Sequence, residues 1–330
     1  MKTKLLYRFA IVIAMSAAVV ACKKNNSDAN SGQSSADLQT QSDDQTQVNN
    51  ETDAVANDVN ATLSDQSTVT GSSTPPGYSQ GIAVQGGKAD TIKSYICDAT
   101  IVRDTVSNPH TLTITYNGSN CAGTRTRTGT VIVSWAAGSQ WKNKGATVTV
   151  QIKALKITRV RDGKSITING THLYTNVSGG SLINLPNLGS ITHTITSDDM
   201  SITFDNGSSR SWNVARQRVY TWTNNSVTIT TSGLHTDGST SGISEWGTNR
   251  FGNSFEIAIA PNNPIVISSA CNFRITSGSV STIRPAVTTT LTFGLDKDGN
   301  PTGCPGDGYY YFKLVWEGAG GKTYTFILPY

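Results

Sequence analysis

The chain has 330 residues, of which 26 are Lys or Arg and 22 are Asp or Glu, for a formal net charge of +4. The charge is unevenly divided, because residues 66–330 carry 21 basic against 14 acidic side chains, whereas residues 23–65 carry two against eight. Beyond the first 22 residues no stretch contains the ~20 apolar residues that a transmembrane helix needs, which excludes a helical span in the rest of the chain.

The first 22 residues have the layout of a bacterial lipoprotein signal. Three basic residues precede a short apolar run, and this run ends in a small residue, Ala21, followed by Cys22. The layout predicts a signal peptide over residues 1–21 and a lipid, such as palmitate, on Cys22. A signal anchor or an ordinary cleaved signal is the competing interpretation. We expect anchoring in the cell outer membrane, with the chain facing either the periplasm or the cell surface.

Residues 22–85 are predicted to form a lipid-anchored, disordered linker. Asn, Ser, Asp, Gln and Thr dominate the segment, and its first aromatic residue is Tyr78. Such a segment buries too little apolar surface to offset the entropy lost on ordering. Its acidic charge, opposite to that of the body, allows it to fold back weakly or keeps both parts soluble.

Residues 86–330 are predicted to form an all-β body, in one domain or two. Apolar and polar residues alternate with the period of half-buried strands, as in residues 147–154 and 255–259. Pairs that favour tight turns, such as Asp162-Gly163, separate these runs. We therefore expect antiparallel sheets joined by short hairpins, in a sandwich-like or elongated arrangement. Because the apolar positions switch from even to odd after Ala154, we also predict a bulge or bend over residues 154–156.

The four cysteines besides Cys22 form an even set in an exported chain, which favours disulfides. Two segments, near residues 95–135 and 269–316, share an order of elements: a cysteine, a Thr-rich strand, a turn, a second cysteine and a strand ending in tryptophan. We interpret them as one disulfide-stapled motif used twice, which predicts the pairs Cys97–Cys121 and Cys271–Cys304. Coincidence, with free or cross-paired thiols, is the alternative.

Three segments of the body carry a recurring pattern: CAGTRTRTGTVIV at 121–133, GTNRFGNSF at 247–255 and GKTYTFIL at 321–328. They resemble segments of uncharacterised Bacteroidota-type lipoproteins, and the likeness covers roughly residues 95–330. The resemblance implies an all-β exported lipoprotein. That family has no known function, so the resemblance implies no catalytic residue.

The best candidate for a metal site is the sequence DKDGN at 296–300, with calcium as the candidate cation and no other cofactor indicated. Alternating oxygen side chains around a glycine are how calcium loops present their ligands, here Asp296, Asp298 and Asn300. The closing glutamate of a full calcium loop is missing. A hairpin tip is the alternative, because Asp, Gly and Asn are ordinary turn residues.

Two groups of residues are candidates for binding a ligand. Three tryptophans in polar, turn-like contexts are candidates for stacking on a glycan: Trp141, Trp222 and Trp246. A basic stretch over residues 142–164 is a candidate for holding a polyanion, such as an acidic glycan or lipid head groups, through Lys153, Arg159 and Arg161. The alternative for the basic stretch is an edge hairpin protected from aggregation by lysines. Trp135 and Trp316 end the repeat strands and are expected to fill equivalent core positions.

We recognise no catalytic residues in the sequence. The histidines do not lie at metal-ligand or triad spacing, and no Gly-x-Ser-x-Gly motif is present. We therefore expect a lipid-anchored cell-envelope protein with a non-enzymatic binding or structural role and no nucleic-acid partner. One alternative is a glycan-active envelope enzyme with Glu245, Glu256 or Asp298 in its site. A second is a transmembrane β-barrel, suggested by the aromatic residue Tyr330.

Overall fold

The computed structural model describes residues 35–65, 90–93, 96–259, 261–271, 273–284, 287–304, 310–317 and 323–330. Cys22, the signal peptide and the linker residues 22–34 and 66–85 lie outside these ranges. The predictions made for them therefore remain predictions.

A long helix, α1, occupies Ser35–Asp65. The prediction of a disordered linker is therefore wrong for these residues. The few apolar residues of α1 recur on one face, and Val48, Val55, Val59 and Leu63 are all at most 1 % exposed. They order the segment because they pack against the sheet, and the composition of the segment alone carries no signal of this contact. In the described part of the chain, no helix combines the length and apolar character needed to cross a bilayer.

The rest of the described chain is β-structure with short helical turns. The turns are a 3-10 turn at Leu182–Asn184, a helix α2 at Leu185–Leu188 and a 3-10 turn at Ser269–Cys271. The strands are β1 Asp90–Lys93, β2 Ala99–Asp104, β3 His110–Ser119, β4 Arg125–Trp135, β5 Ala146–Arg159, β6 Ser165–Asn176, β7 Ser190–Phe204, β8 Ser209–Thr223, β9 Ser226–Gly233, β10 His235–Asp237, β11 Thr240–Thr248, β12 Ser254–Ala258, β13 Ile265–Ser268, β14 Arg274–Ser277, β15 Ser279–Arg284, β16 Val287–Leu295, β17 Tyr311–Glu317 and β18 Thr323–Pro329.

These strands form one large, open antiparallel sheet, which confirms the all-β fold class. Strands β1 to β8 pair in chain order. The long strand β8 then pairs along its second half with β9 and along its first half with β11. From there one branch runs β9–β13–β14, and the other runs β11–β12–β15–β16–β17–β18.

One face of this sheet forms the core together with α1. Along β3 the buried residues are Leu112, Ile114 and Tyr116, and neighbouring strands show the same alternation. The apolar residues of α1 belong to the same buried cluster as those of the strands. We call this side of the sheet the inner face and the opposite side the outer face.

The predicted bulge in β5 is confirmed. The register with β6 shifts between Ile152 and Leu155, and Ala154 has a φ of 46°. The side-chain oxygen of Asn169 accepts the Ala154 N–H at 2.7 Å. The extra residue explains why buried positions change parity along one strand.

The same bulge requires a glycine on the neighbouring strand β4. A Cβ placed at Gly129 would lie 2.4 Å from the carbonyl oxygen of Ala154, at a φ of +126°. We expect Gly129→Ala to destabilise the fold by about 2–4 kcal/mol in urea unfolding, through backbone strain and overpacking. Gly163→Ala is the control, because its φ of +70° carries strain but no atom lies within 4 Å. Equal losses of stability in the two variants would contradict this account.

Both predicted disulfides, Cys97–Cys121 and Cys271–Cys304, are present, and they join cysteines that are 24 and 33 residues apart in the sequence. Each second cysteine follows one strand of a hairpin, as the repeat predicts. The two tryptophans differ, however: Trp135 is buried, whereas Trp316 is half-buried and stacks on Tyr324 with ring centroids 4.7 Å apart. Trp135 therefore fills a core position, but the prediction that Trp316 occupies an equivalent one is wrong.

Candidate functional site

The inner face carries a set of arginines that meet the carboxylates of α1. At the N-terminal part of α1, Asp43 accepts hydrogen bonds from Arg159 at 2.7 and 2.8 Å and from Lys164 at 3.1 Å, and Arg161 lies 3.6 Å away. Burial raises the pKa of Asp43, but the hydrogen bonds and charges of Arg159 and Lys164 outweigh this effect and hold that pKa at about 2. The next carboxylate, Asp44, pairs with Arg250 at 2.7 Å.

The middle of α1 contacts a fully buried cluster around Glu245 of β11. Glu245 is 0 % exposed and accepts hydrogen bonds from the guanidinium groups of Arg210 and Arg216, both on β8. From α1, Gln45 donates to the same carboxylate at 3.3 Å, and Asp53 lies 3.5 Å from Arg216. Glu245 therefore holds two buried cations and connects the helix to the sheet.

The C-terminal part of α1 is fastened in the same way. Arg127 forms two 2.6 Å hydrogen bonds with buried Asp98 and a 2.7 Å bond with Asp58 of α1. The Tyr116 hydroxyl donates to Asp58 at 2.9 Å.

The predicted polyanion site contains two arginines that are already paired with carboxylates. Arg159 forms ion pairs with Asp43 of α1 and with Asp162, and Arg161 lies near the same two carboxylates. Lys153, the third residue of the predicted polyanion site, is exposed on β5.

In the predicted metal loop, the carboxylates of Asp296 and Asp298 are paired with groups of the loop itself. Asp296 accepts the backbone N–H groups of Asp298 and Asn300, each at 2.9 Å, and Asp298 pairs with Lys297 at 2.8 Å. Over the described ranges, no cluster of three or more His, Cys, Asp or Glu side chains is arranged to hold a metal ion. The geometry is that of a hairpin tip.

The three candidate tryptophans lie in different environments. Trp141 is 2 % exposed and packs edge-on against buried His193, so the prediction of a surface position is wrong. The loop between β4 and β5 turns the indole inward, and the side-chain amide of Asn176 donates to the backbone carbonyl of Trp141 at 2.8 Å. Trp222 is half-buried against the core. Trp246 lines a groove on the outer face of the sheet.

This groove has a volume of about 450 Å³ and crosses five neighbouring strands, β5, β6, β7, β8 and β11. Its centre is a cross-strand row in which Thr149 pairs with Leu173, Leu173 with Thr196, and Thr196 with Ala215. The remaining lining residues are Thr171, His172, Ser197, Asp198, Val214 and Trp246.

Two irregularities of the sheet shape the groove. The β6–β7 register shifts between Asn169 and Leu173, and the β7–β8 register shifts between Ser197 and Met200. The carboxylate of Asp199 ties these segments together, since it accepts the Thr171 N–H at 2.6 Å and the Ser197 hydroxyl at 3.1 Å. Bulges re-aim side chains in this way next to binding sites.

The indole of Trp246 is fixed on two sides. One interaction is a stack on His235, with ring centroids 4.1 Å apart and planes inclined by 19°. With the Asn213 amide oriented so that its oxygen faces the indole, the Trp246 N–H donates to it at 2.9 Å. The amide nitrogen of Asn213 then donates to the Asp198 carbonyl, also at 2.9 Å.

The imidazole of His172 lies on the inner face of the sheet, beneath the groove. It is 4 % exposed, and within the described part of the chain neither ring nitrogen has a hydrogen-bond partner. Besides the groove, His172 lines an interior cavity of about 10 Å³ together with Asp53, Arg216 and Glu245. Burial and the charge of Arg216 lower its pKa to about 4, so the imidazole is neutral at pH 7. The environment of His172 could not be predicted from the sequence, because its neighbours in this cavity come from α1, β8 and β11.

Comparison with known proteins found no match among family models, curated proteins or solved structures. The resemblance to Bacteroidota-type lipoproteins therefore remains a prediction.

The buried histidines make the fold sensitive to acid. Burial and the charge of Arg218 lower the pKa of His193 to about 3. The unfolded chain binds this proton near pH 6.5 and the folded chain does not, so the associated stability is present above pH 6.5 and falls as the pH drops toward 3. We expect His193→Phe to remove about 2 kcal/mol of the stability lost between pH 7 and pH 5.

Urea unfolding at pH 7 and pH 5 measures this difference, with His110→Phe at a half-buried site as the control. Burial raises the pKa of Asp44 to about 7, so Asp44 contributes the opposite pH dependence. That contribution is common to all three proteins and cancels in the comparison. The same pH dependence in His193→Phe as in the unsubstituted protein would contradict the assignment.

Proposed function

We propose that this protein is a lipid-anchored protein of the cell envelope that binds a ligand in the outer-face groove without transforming it. The anchor rests on the signal layout that ends at Cys22. The observation that carries the binding role is the groove itself, whose volume falls in the roughly 300–1,000 Å³ range of small-molecule sites.

The positions of the carboxylates favour binding over glycan hydrolysis. A glycosidase needs two carboxyl groups roughly 5–10 Å apart across the bond that it cleaves. Among the residues that line the groove, Asp198 is the one carboxylate. Glu245 is held by two arginines on the inner face, Asp298 pairs with Lys297, and Glu256 is half-buried on β12 beyond the groove lining.

Binding and product release, measured in parallel on the full-length protein, test this proposal. We expect a glycan array to yield ligands whose binding changes tryptophan fluorescence, while chromatography of the same mixtures shows no new sugar fragments. Release of fragments at a rate proportional to protein concentration would favour the enzymatic alternative. The matched control for release is Asp198→Asn, which would abolish hydrolysis if this carboxylate were catalytic.

A further inference from the structure

We propose that the groove takes a neutral saccharide, with one sugar ring stacked on Trp246 and hydroxyl groups bound by Asp198. This inference rests on the proposed binding function and specifies the class of ligand. It differs from a polyanion site, which the basic stretch alone would suggest.

The charge of the groove argues for a neutral ligand. Of its lining residues, Asp198 is acidic and none is a lysine or arginine. The arginines of β4 and β8 face α1 on the opposite side of the sheet. A sulfated or carboxylated ligand would therefore meet a carboxylate without a cation to pair with it, which opposes binding.

The lining also has the mixed character that a sugar ring requires. Four hydroxyl-bearing residues offer donors and acceptors to sugar hydroxyls: Thr149, Thr171, Thr196 and Ser197. Between them, Leu173 and Ala215 provide apolar surface. Trp246 adds a large aromatic ring, which can cover the C–H face of a pyranose while its N–H is already satisfied.

The site is organised before any ligand arrives. Asp199 fixes the two irregular segments, while His235 and Asn213 fix the indole of Trp246. Because few side chains have to be ordered on binding, weak individual contacts suffice for measurable affinity.

Isothermal titration of the full-length protein tests the inference with three sets of probes. The first contains neutral gluco-, manno-, galacto- and xylo-oligosaccharides, the second contains sulfated and uronate-bearing oligosaccharides of similar length, and the third contains short peptides and phenolic compounds. We expect binding from the neutral set, an affinity at least tenfold weaker in Trp246→Ala and a smaller loss in Trp246→Phe.

Tyr324→Ala is the matched control, because Tyr324 is also a partly exposed ring stacked on another aromatic side chain. Its affinity should equal that of the unsubstituted protein, and thermal unfolding should show that all variants fold. Preference for the anionic set, or neutral binding that Trp246→Ala leaves unchanged, overturns the inference. Binding of the third set alone, sensitive to Trp246→Ala, overturns the saccharide class but supports a binding groove. No binding from any set overturns both proposals.

Discussion

Replacing Glu245 by glutamine is expected to destabilise the protein by about 3–5 kcal/mol, because two buried guanidinium groups lose their shared counter-charge. Glu245 is fully buried and accepts hydrogen bonds from both Arg210 and Arg216. Glutamine keeps the shape of the side chain but removes its charge, so the cations remain in a low-dielectric interior without compensation. Urea unfolding at pH 7 measures the loss.

The matched control is Glu256→Gln on the neighbouring strand β12. Glu256 pairs in register with Trp246, the residue after Glu245, and is half-buried. We expect a change of at most about 0.5 kcal/mol for this variant, as for most surface substitutions. If Glu245→Gln cost no more than Glu256→Gln, the buried cluster would not be anchoring α1 to the sheet.

The substitution Val55→Pro is expected to lower the free energy of unfolding by about 5 kcal/mol. Within a helix, proline removes a backbone hydrogen bond and clashes with the preceding turn, at about 3 kcal/mol or more. Val55 is also 1 % exposed, so its loss removes roughly 2 kcal/mol of buried apolar contact. Because the carboxylates on either side of the kink would no longer reach their arginines together, we expect a large drop in the urea midpoint.

Two variants separate the backbone effect from the side-chain effect. Val55→Ala retains the helix and should lose about 2 kcal/mol, whereas Ala61→Ser changes an exposed position of the same helix and should be nearly neutral. In a disordered linker all three substitutions would leave the midpoint unchanged, and that outcome would contradict the description of α1.

The strands could be predicted because their signals are local. Alternation with period two and turn pairs indicate half-buried antiparallel strands, and a change of parity at Ala154 locates a bulge without knowledge of its neighbours. The order of elements around the four body cysteines was also sufficient to pair them, since each pair closes within one repeat.

The helix and the groove could not be predicted because their determinants are non-local. Residues 35–65 lack the apolar content to fold alone, and their order depends on arginines up to about two hundred positions away, such as Arg250 for Asp44. Trp141 appeared exposed from its polar neighbours, yet its loop folds over the core. Leu173 and Trp246 are distant in sequence, and they line one groove where the registers of β6, β7 and β8 are irregular.

Hydrogen exchange measured by mass spectrometry on the full-length protein tests most directly whether the acidic N-terminal segment is a helix built into the sheet. We predict that amides of residues 44–63 exchange as slowly as those of the central strands β5 to β8, because both would open only when the core opens. Complete exchange of residues 44–63 at the earliest time point, with β5 to β8 still protected, would contradict the account.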